Sequence, residues 1–271
     1  MRQFLSNLSF GWLRATGGGR GLRILMYHRV TDAHPDDRLC VSTLQFAAQM
    51  AWLRQEGYRT VTYAEATRYV AERESLPERS IVLTFDDGYE DNFRFAYPVL
   101  QQCRFTGMFF IPTKFLKEAG EGRLADDRPM SLEQLKTLAR DGHEIGAHSV
   151  SHKMLTCLAP EELQCEVRDC KVALEQGVGH SIDYFCYPAG DHNDAVKAAV
   201  RAAGYHGACT VKPGANHPGM DVFALRRTEI GGFDSLWDFQ KKLAGAFDWM
   251  HVLAQTKAGY GQKTPDAHPL K

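Results

Sequence analysis

The chain has 271 residues, 44% hydrophobic and 24% charged, with a formal net charge of −1. That length holds one large domain or two small ones, and the composition is that of a globular protein. A charge balance this close to zero leaves no footprint for nucleic acid. No apolar run reaches the ~20 residues that span a bilayer.

Near the start, Phe4, Leu5, Leu8 and Trp12 share one helical face. Residues 1–21 therefore read as an N-terminal helix and a linker, with Gly17 to Gly21 as the pliant part. That helix either packs on the domain or lies in a membrane interface. The segment is barely basic, and no small-residue cleavage site follows it, so no export signal is expected. The seven cysteines are scattered, with no C-x-x-C pair, and read as reduced thiols. The expected location is the cytoplasm, peripheral at the inner membrane face if the N-terminal helix is interfacial.

Strand-like and helix-like segments then alternate. Leu22 to Tyr27 reads as a buried strand. Ser42-Thr43-Leu44-Gln45 is a capping box opening a helix that turns Phe46, Met50 and Leu53 inward and stops at Gly57. Arg59 to Thr62 is a short strand, and Thr62-Tyr63-Ala64-Glu65 caps the next helix. Ile81 to Phe85 is the continuous apolar run of a strand buried on both faces. A helix over Asp91 to Cys103 precedes a strand at Thr106 to Ile111. Ser131 opens a helix that ends near Gly142, and His143 to Ala147 is a strand. Pro160 begins a helix to about Gln176, followed by a strand at Tyr184 to Tyr187. A helix from Asn193 stops at Gly204, and Tyr205 to Thr210 is a strand. Phe223 to Ile230 reads as the last strand and Ser235 to Ala246 as the last helix. About seven strands alternating with helices predict an α/β fold with a parallel sheet. The chain divides into residues 1–21, one main domain over 22–250, and a flexible tail over 251–271.

Chemistry concentrates in two strings. Thr84-Phe85-Asp86-Asp87-Gly88 puts adjacent carboxylates at a strand end, where Gly88 can turn the chain. One can ligate a metal while the other deprotonates a water; the bland alternative is a helix N-cap. His148-Ser149-Val150-Ser151-His152 follows another strand. On a turn of helix these imidazoles would share a face, as two ligands on one cation. Ser149 or Ser151 would hold the loop.

Together these strings resemble the polysaccharide deacetylase family, also called NodB-homology or carbohydrate esterase 4, over about Leu22 to Leu243. The resemblance implies a deformed (β/α) barrel with its site at the strand C-termini. It implies Asp86 as catalytic base, and Asp87, His148 and His152 as ligands of a divalent metal, usually zinc. Phe185-Cys186-Tyr187-Pro188-Ala189-Gly190 is similar to the family's third motif, so Tyr187, Pro188, Ala189 and Gly190 are expected to wall the substrate groove. Many members have an Arg where Cys186 stands, steadying the base. Arg227 either replaces it from another strand end or makes a surface salt bridge. The backbone N–H of Tyr187 or Ala189 is a candidate oxyanion donor. The late Leu-His of many members is absent. Instead Met26-Tyr27-His28-Arg29-Val30 is similar to the early Tyr-His motif of the exopolysaccharide deacetylase branch, which implies His28 as the acid. A plain structural role is the alternative for a histidine ending a strand.

The expected activity is metal-dependent de-N-acetylation of N-acetylated sugars in a glycan or glycan precursor, lipid-linked or free. Hydrolysis of a formamide, cyclic amide or O-acetyl ester on the same scaffold is the rival enzyme reading. A non-catalytic glycan-binding module is the rival from another class.

Overall fold

A computed structural model describes residues 21–117 and 127–248. The expectations for the N-terminal helix and the C-terminal tail lie outside the described residues. Five short parallel strands run side by side: β1 (Arg23–Tyr27), β5 (Ser80–Phe85), β6 (Met108–Ile111), β7 (Glu144–Ala147) and β8 (Tyr184–Cys186). β9 (Gly207–Cys209) flanks β8, and β10 (Thr228–Glu229) flanks β1. β4 (Arg59–Thr60) adds to β5, and β2 (Arg29–Val30) pairs separately with β3 (Cys40–Val41).

The sheet curls until its edges nearly meet. Leu225 bridges to Cys209 of β9, and three residues on, Thr228 pairs with Leu25 of β1. The result is a deformed (β/α) barrel closed by a single segment. This corrects the expected strand over Phe223 to Ile230. Val222–Ala224 is a turn of 3-10 helix, and only Thr228–Glu229 forms a strand. The segment passes from one sheet edge to the other, and Asn216 takes the Arg226 N–H on the way, so no single ladder runs along it.

All but the second of the helices that follow cover the outer face. These are α1 (Thr43–Gln55), α2 (Tyr63–Glu72), α3 (Tyr97–Cys103), α4 (Thr113–Lys117), α5 (Leu132–Arg140), α6 (Pro160–Val178), α7 (Asp194–Ala202) and α8 (Leu236–Leu243). Ser42, Thr62 and Ser131 each close a reciprocal capping box. The expected helix over Asp91 to Cys103 is split: Asn92–Ala96 is a π-helical turn before α3. Pro98 has no N–H to continue the α-helical ladder, and the Tyr97 N–H reaches back to the Asn92 carbonyl.

Strand alternation sorts the core into two layers. Leu25, Tyr27, Leu83, Phe85, Phe109, Ile145, Ala147 and Phe185 face outward, into a cluster with Phe46, Met50, Leu135, Leu163 and Val167 from the helices. Ile24, Val82, Met108, Phe110, Cys186 and Cys209 face inward, and Tyr63, Ala66 and Val70 of α2 pack against them. The inward positions are even-numbered on β1, β5, β6 and β8. Thr84, Asp86 and His28 continue that parity at the C-terminal rim.

Candidate active site

β5 aims Asp86 inward by alternation, and the next residue should face away. Asp87 does not, because it adopts φ 70° and Gly88 φ 66°. A left-handed aspartate costs energy that a glycine would not incur. Here it brings both carboxylates to one rim.

On the far side of β6, the segment after β7 supplies the histidines. It is not a helical turn, contrary to the sequence expectation. Ser149 and His152 take φ 61° and φ 59°. Glu166 of α6 dictates this loop by accepting the Val150 and Ser151 N–H groups at 2.9 and 2.8 Å and the Ser151 hydroxyl. Ser149 Oγ accepts the His152 N–H at 2.9 Å. The two imidazoles converge all the same, with ring centroids 4.7 Å apart and planes at 76°.

Both Nε2 atoms lie 3.4 Å from Asp87 Oδ1. That oxygen is buried and accepts no hydrogen bond. His148 Nδ1 lies 2.8 Å from the Cys186 carbonyl, so it carries a proton, and whenever the ring is neutral the lone pair is on Nε2. Two nitrogens and an orphaned carboxylate oxygen facing one another repel unless a cation stands among them. The donor set of Asp87, His148 and His152 thus fits a divalent ion of the zinc type. Burial alone would raise the Asp87 carboxyl, but the surrounding imidazoles hold it well below the usual carboxylate range. Burial pulls His152 down to about 4, helped by the charge of His148. Burial also opposes the charge on His148, yet Asp87 and Asp86 raise it overall.

Asp86 has a different setting. Arg227 Nη1 and Nη2 each donate to one of its oxygens at 2.7 Å, in a bidentate pair within the barrel. The guanidinium is fully buried. It also donates to Thr210 O at 2.9 Å, Thr84 Oγ1 at 3.1 Å and Cys186 Sγ at 3.0 Å. Below it, the Phe110 ring centroid is 5.7 Å away. Gly146 makes room for that ring, since a Cβ there would lie 2.5 Å from it. Of the two readings for Arg227, the surface salt bridge is excluded. Burial pushes the Asp86 carboxyl up, and Arg227 more than reverses it, leaving the group ionised.

His28 follows β1 on the inward parity, half-buried, with its Nδ1 buried and unbonded. The third-motif segment divides. Tyr187 faces outward, its hydroxyl on Phe223 O at 3.0 Å and its ring stacked on His192 at 5.0 Å. Its N–H is spent on Cys209 O at 3.2 Å, which removes it as an oxyanion donor. Pro188 is buried, Ala189 is exposed at φ 52°, and Gly190 turns the chain at φ 70° against Val211. The N–H of Ala189 is the remaining candidate.

Sequence reading missed Glu166, Thr84, Phe110 and the thiol of Cys186. Thr84 carried a signal, being two residues before Asp86 and therefore on its face. Glu166 carried none, because a carboxylate on a long helix normally faces water.

Residues 73–208 match the family described as Polysaccharide deacetylase. The chain is 31% identical over 209 residues to the putative polysaccharide deacetylase YxkH of Bacillus subtilis (strain 168), covering 77% of this chain and 71% of that one. It is 38% identical over 82 residues to the poly-beta-1,6-N-acetyl-D-glucosamine N-deacetylase of Escherichia coli (strain K12), or 30% of this chain and only 12% of that relative's length. The structure of IcaB from Ammonifex degensii superposes with a TM-score of 0.73 at 28% identity, covering 84% of this chain and 98% of that one.

Proposed function

The chain belongs to the polysaccharide deacetylase family, a family of hydrolases, and on that premise we propose that it is a metal-dependent de-N-acetylase of N-acetylated sugars in a glycan or glycan precursor. The observation that carries the reading is the orphaned Asp87 oxygen between two imidazole nitrogens, one residue from a carboxylate clamped by Arg227. The relative in Escherichia coli is named for poly-beta-1,6-N-acetyl-D-glucosamine, which makes an oligomer of that polymer the first substrate to try.

Asp87, His148 and His152 would hold the ion, expected to be zinc. When bound it supplies a Lewis acid for the acetyl carbonyl and lowers the pKa of a water. Asp86 accepts a proton from the attacking water. Arg227 keeps Asp86 ionised and fixes both its oxygens, leaving their outer lone pairs for that proton. The Ala189 N–H donates to the oxygen that gains charge as the carbonyl carbon becomes tetrahedral. His28 donates a proton to the departing nitrogen, which leaves as an amine rather than as an unstable anion. Acetate and a free amino sugar result.

The seven cysteines are all free thiols, which supports a reducing compartment and hence the cytoplasm. Among the described residues no helix is long and apolar enough to cross a membrane.

The test is acetate release from β-1,6-linked N-acetylglucosamine oligomers before and after exhaustive chelation. Activity should vanish with the metal and return on adding zinc. Undiminished turnover in chelated, metal-free protein would overturn the reading.

A further inference from the structure

His28 stands between β1 and β2, outside both strands. Two consecutive residues downstream of the aspartate pair grip this segment. Asn92 Nδ2 donates to the His28 carbonyl at 2.8 Å. Asp91 accepts the next two residues' donors, Arg29 Nε at 2.8 Å and the Val30 N–H at 3.2 Å. Residues 91 and 92 thus hold residues 28, 29 and 30 in succession. The chemistry is complementary in order: a carbonyl meets an amide donor, while a guanidinium and an N–H meet a carboxylate. Arg29 also donates to Asp127 at 2.6 Å and lies 4.4 Å over the Tyr89 ring.

Asn92 is 0% exposed and opens the π-helical turn Asn92–Ala96. Wide turns of this kind recur at functional sites, because they redirect a side chain that an α-helix would send elsewhere. A buried amide is costly unless it is bonded. Asn92 Oδ1 has no hydrogen-bond partner, and neither has the Nδ1 of His28. The fold keeps a polar side chain here at a cost that its one donated hydrogen bond only partly offsets.

We infer that Asn92, backed by Asp91, is a positioning residue of the deacetylase site: it holds the His28–Val30 segment so that the His28 imidazole faces the scissile amide nitrogen. This rests on the proposed role of His28 as proton donor. Asn92 acts through His28 and touches neither substrate nor metal.

The experiment is a double-mutant cycle on metal-loaded enzyme. Turnover of an N-acetylglucosamine oligomer is measured beside hydrolysis of 4-nitrophenyl acetate, whose leaving group needs no proton. Asn92→Ala should lower kcat for the amide about tenfold to a hundredfold, the range for a misplaced catalytic group. KM and metal content should hardly change, and the ester should lose less. The H28A/N92A protein should be no slower than H28A alone. If N92A slows H28A enzyme as much as it slows the parent, the positioning role is overturned and the reading of His28 stands. If H28A itself keeps full amide turnover, the proton-donor reading falls, and this inference with it. Should N92A fail to fold, Asn92→Leu keeps the volume. A crystal structure of N92L with His28 displaced supports the inference, and one with the ring unmoved overturns it.

Discussion

Asp86 and Asp87 are neighbours in the chain, yet they belong to two regions of opposite character. Asp86 lies at the mouth of the barrel interior, with both oxygens bonded to a guanidinium whose donors also find Thr210, Thr84 and Cys186. Asp87 lies on the loop side, one oxygen facing two imidazole nitrogens with no hydrogen bond. The first region pairs its charge as the chain folds, and the second leaves a donor set that a cation would fit. Identical side chains take different work because the partners around them differ in kind.

The sharpest test of that contrast exchanges charge for an isosteric amide at each aspartate. Asp86→Asn should cost about 10²–10⁴ in turnover, the span of general base catalysis, while the purified protein still carries its metal. Asp87→Asn should lose metal first, and activity as a consequence. Equal metal loss in both proteins by elemental analysis would dissolve the distinction.

The next test removes the partner of Asp86. Arg227→Met leaves a buried carboxylate unpaired, which should destabilise the fold by about 3–5 kcal/mol in urea unfolding. The double variant D86N/R227M should recover part of that loss, because no uncompensated charge remains. A surface-like loss under 1 kcal/mol would contradict the burial on which the contrast rests.

His143 is a control for the site histidines. It is buried away from the carboxylates of the site, and its Nδ1 accepts the Gly107 N–H at 3.1 Å. Burial lowers it to about 4 from 6.5. The unfolded chain binds its proton between those values and the folded chain does not. Stability from this group is therefore full above about pH 6.5 and falls until about pH 4, by roughly 3 kcal/mol. His143→Gln should flatten that limb of the stability curve. An unchanged slope would show that His143 is not held neutral.

The smallest effect is expected beneath Arg227. Gly146→Ala puts a Cβ 2.5 Å from the Phe110 ring, an overpacking worth about 1–3 kcal/mol. If the ring carries Arg227, activity should fall with stability while metal content stays. Full activity in a destabilised G146A protein would separate the aromatic floor from the base above it.

Much of this architecture was written locally. Capping boxes at Ser42, Thr62 and Ser131 opened helices where expected. The apolar run ending at Phe85 formed the strand that carries the aspartates. These signals are short-range, since a cap and a periodicity act within a turn or a strand. What they could not carry was anything set by register or closure. Arg227 reaches Asp86 across 141 residues because one segment bridges Leu225 to β9 and Thr228 to β1. The same closure cut the expected last strand short. The ladder to Cys209 took the Tyr187 N–H that a motif alone leaves available. The histidine pair keeps its i, i+4 spacing without its helix, because Glu166 from α6 claims the loop's N–H groups. The sequence by itself determined which residue types stand at the strand ends. Tertiary structure decided which of them meet, because a partner from a distant strand is chosen by sheet geometry, and no local pattern encodes it.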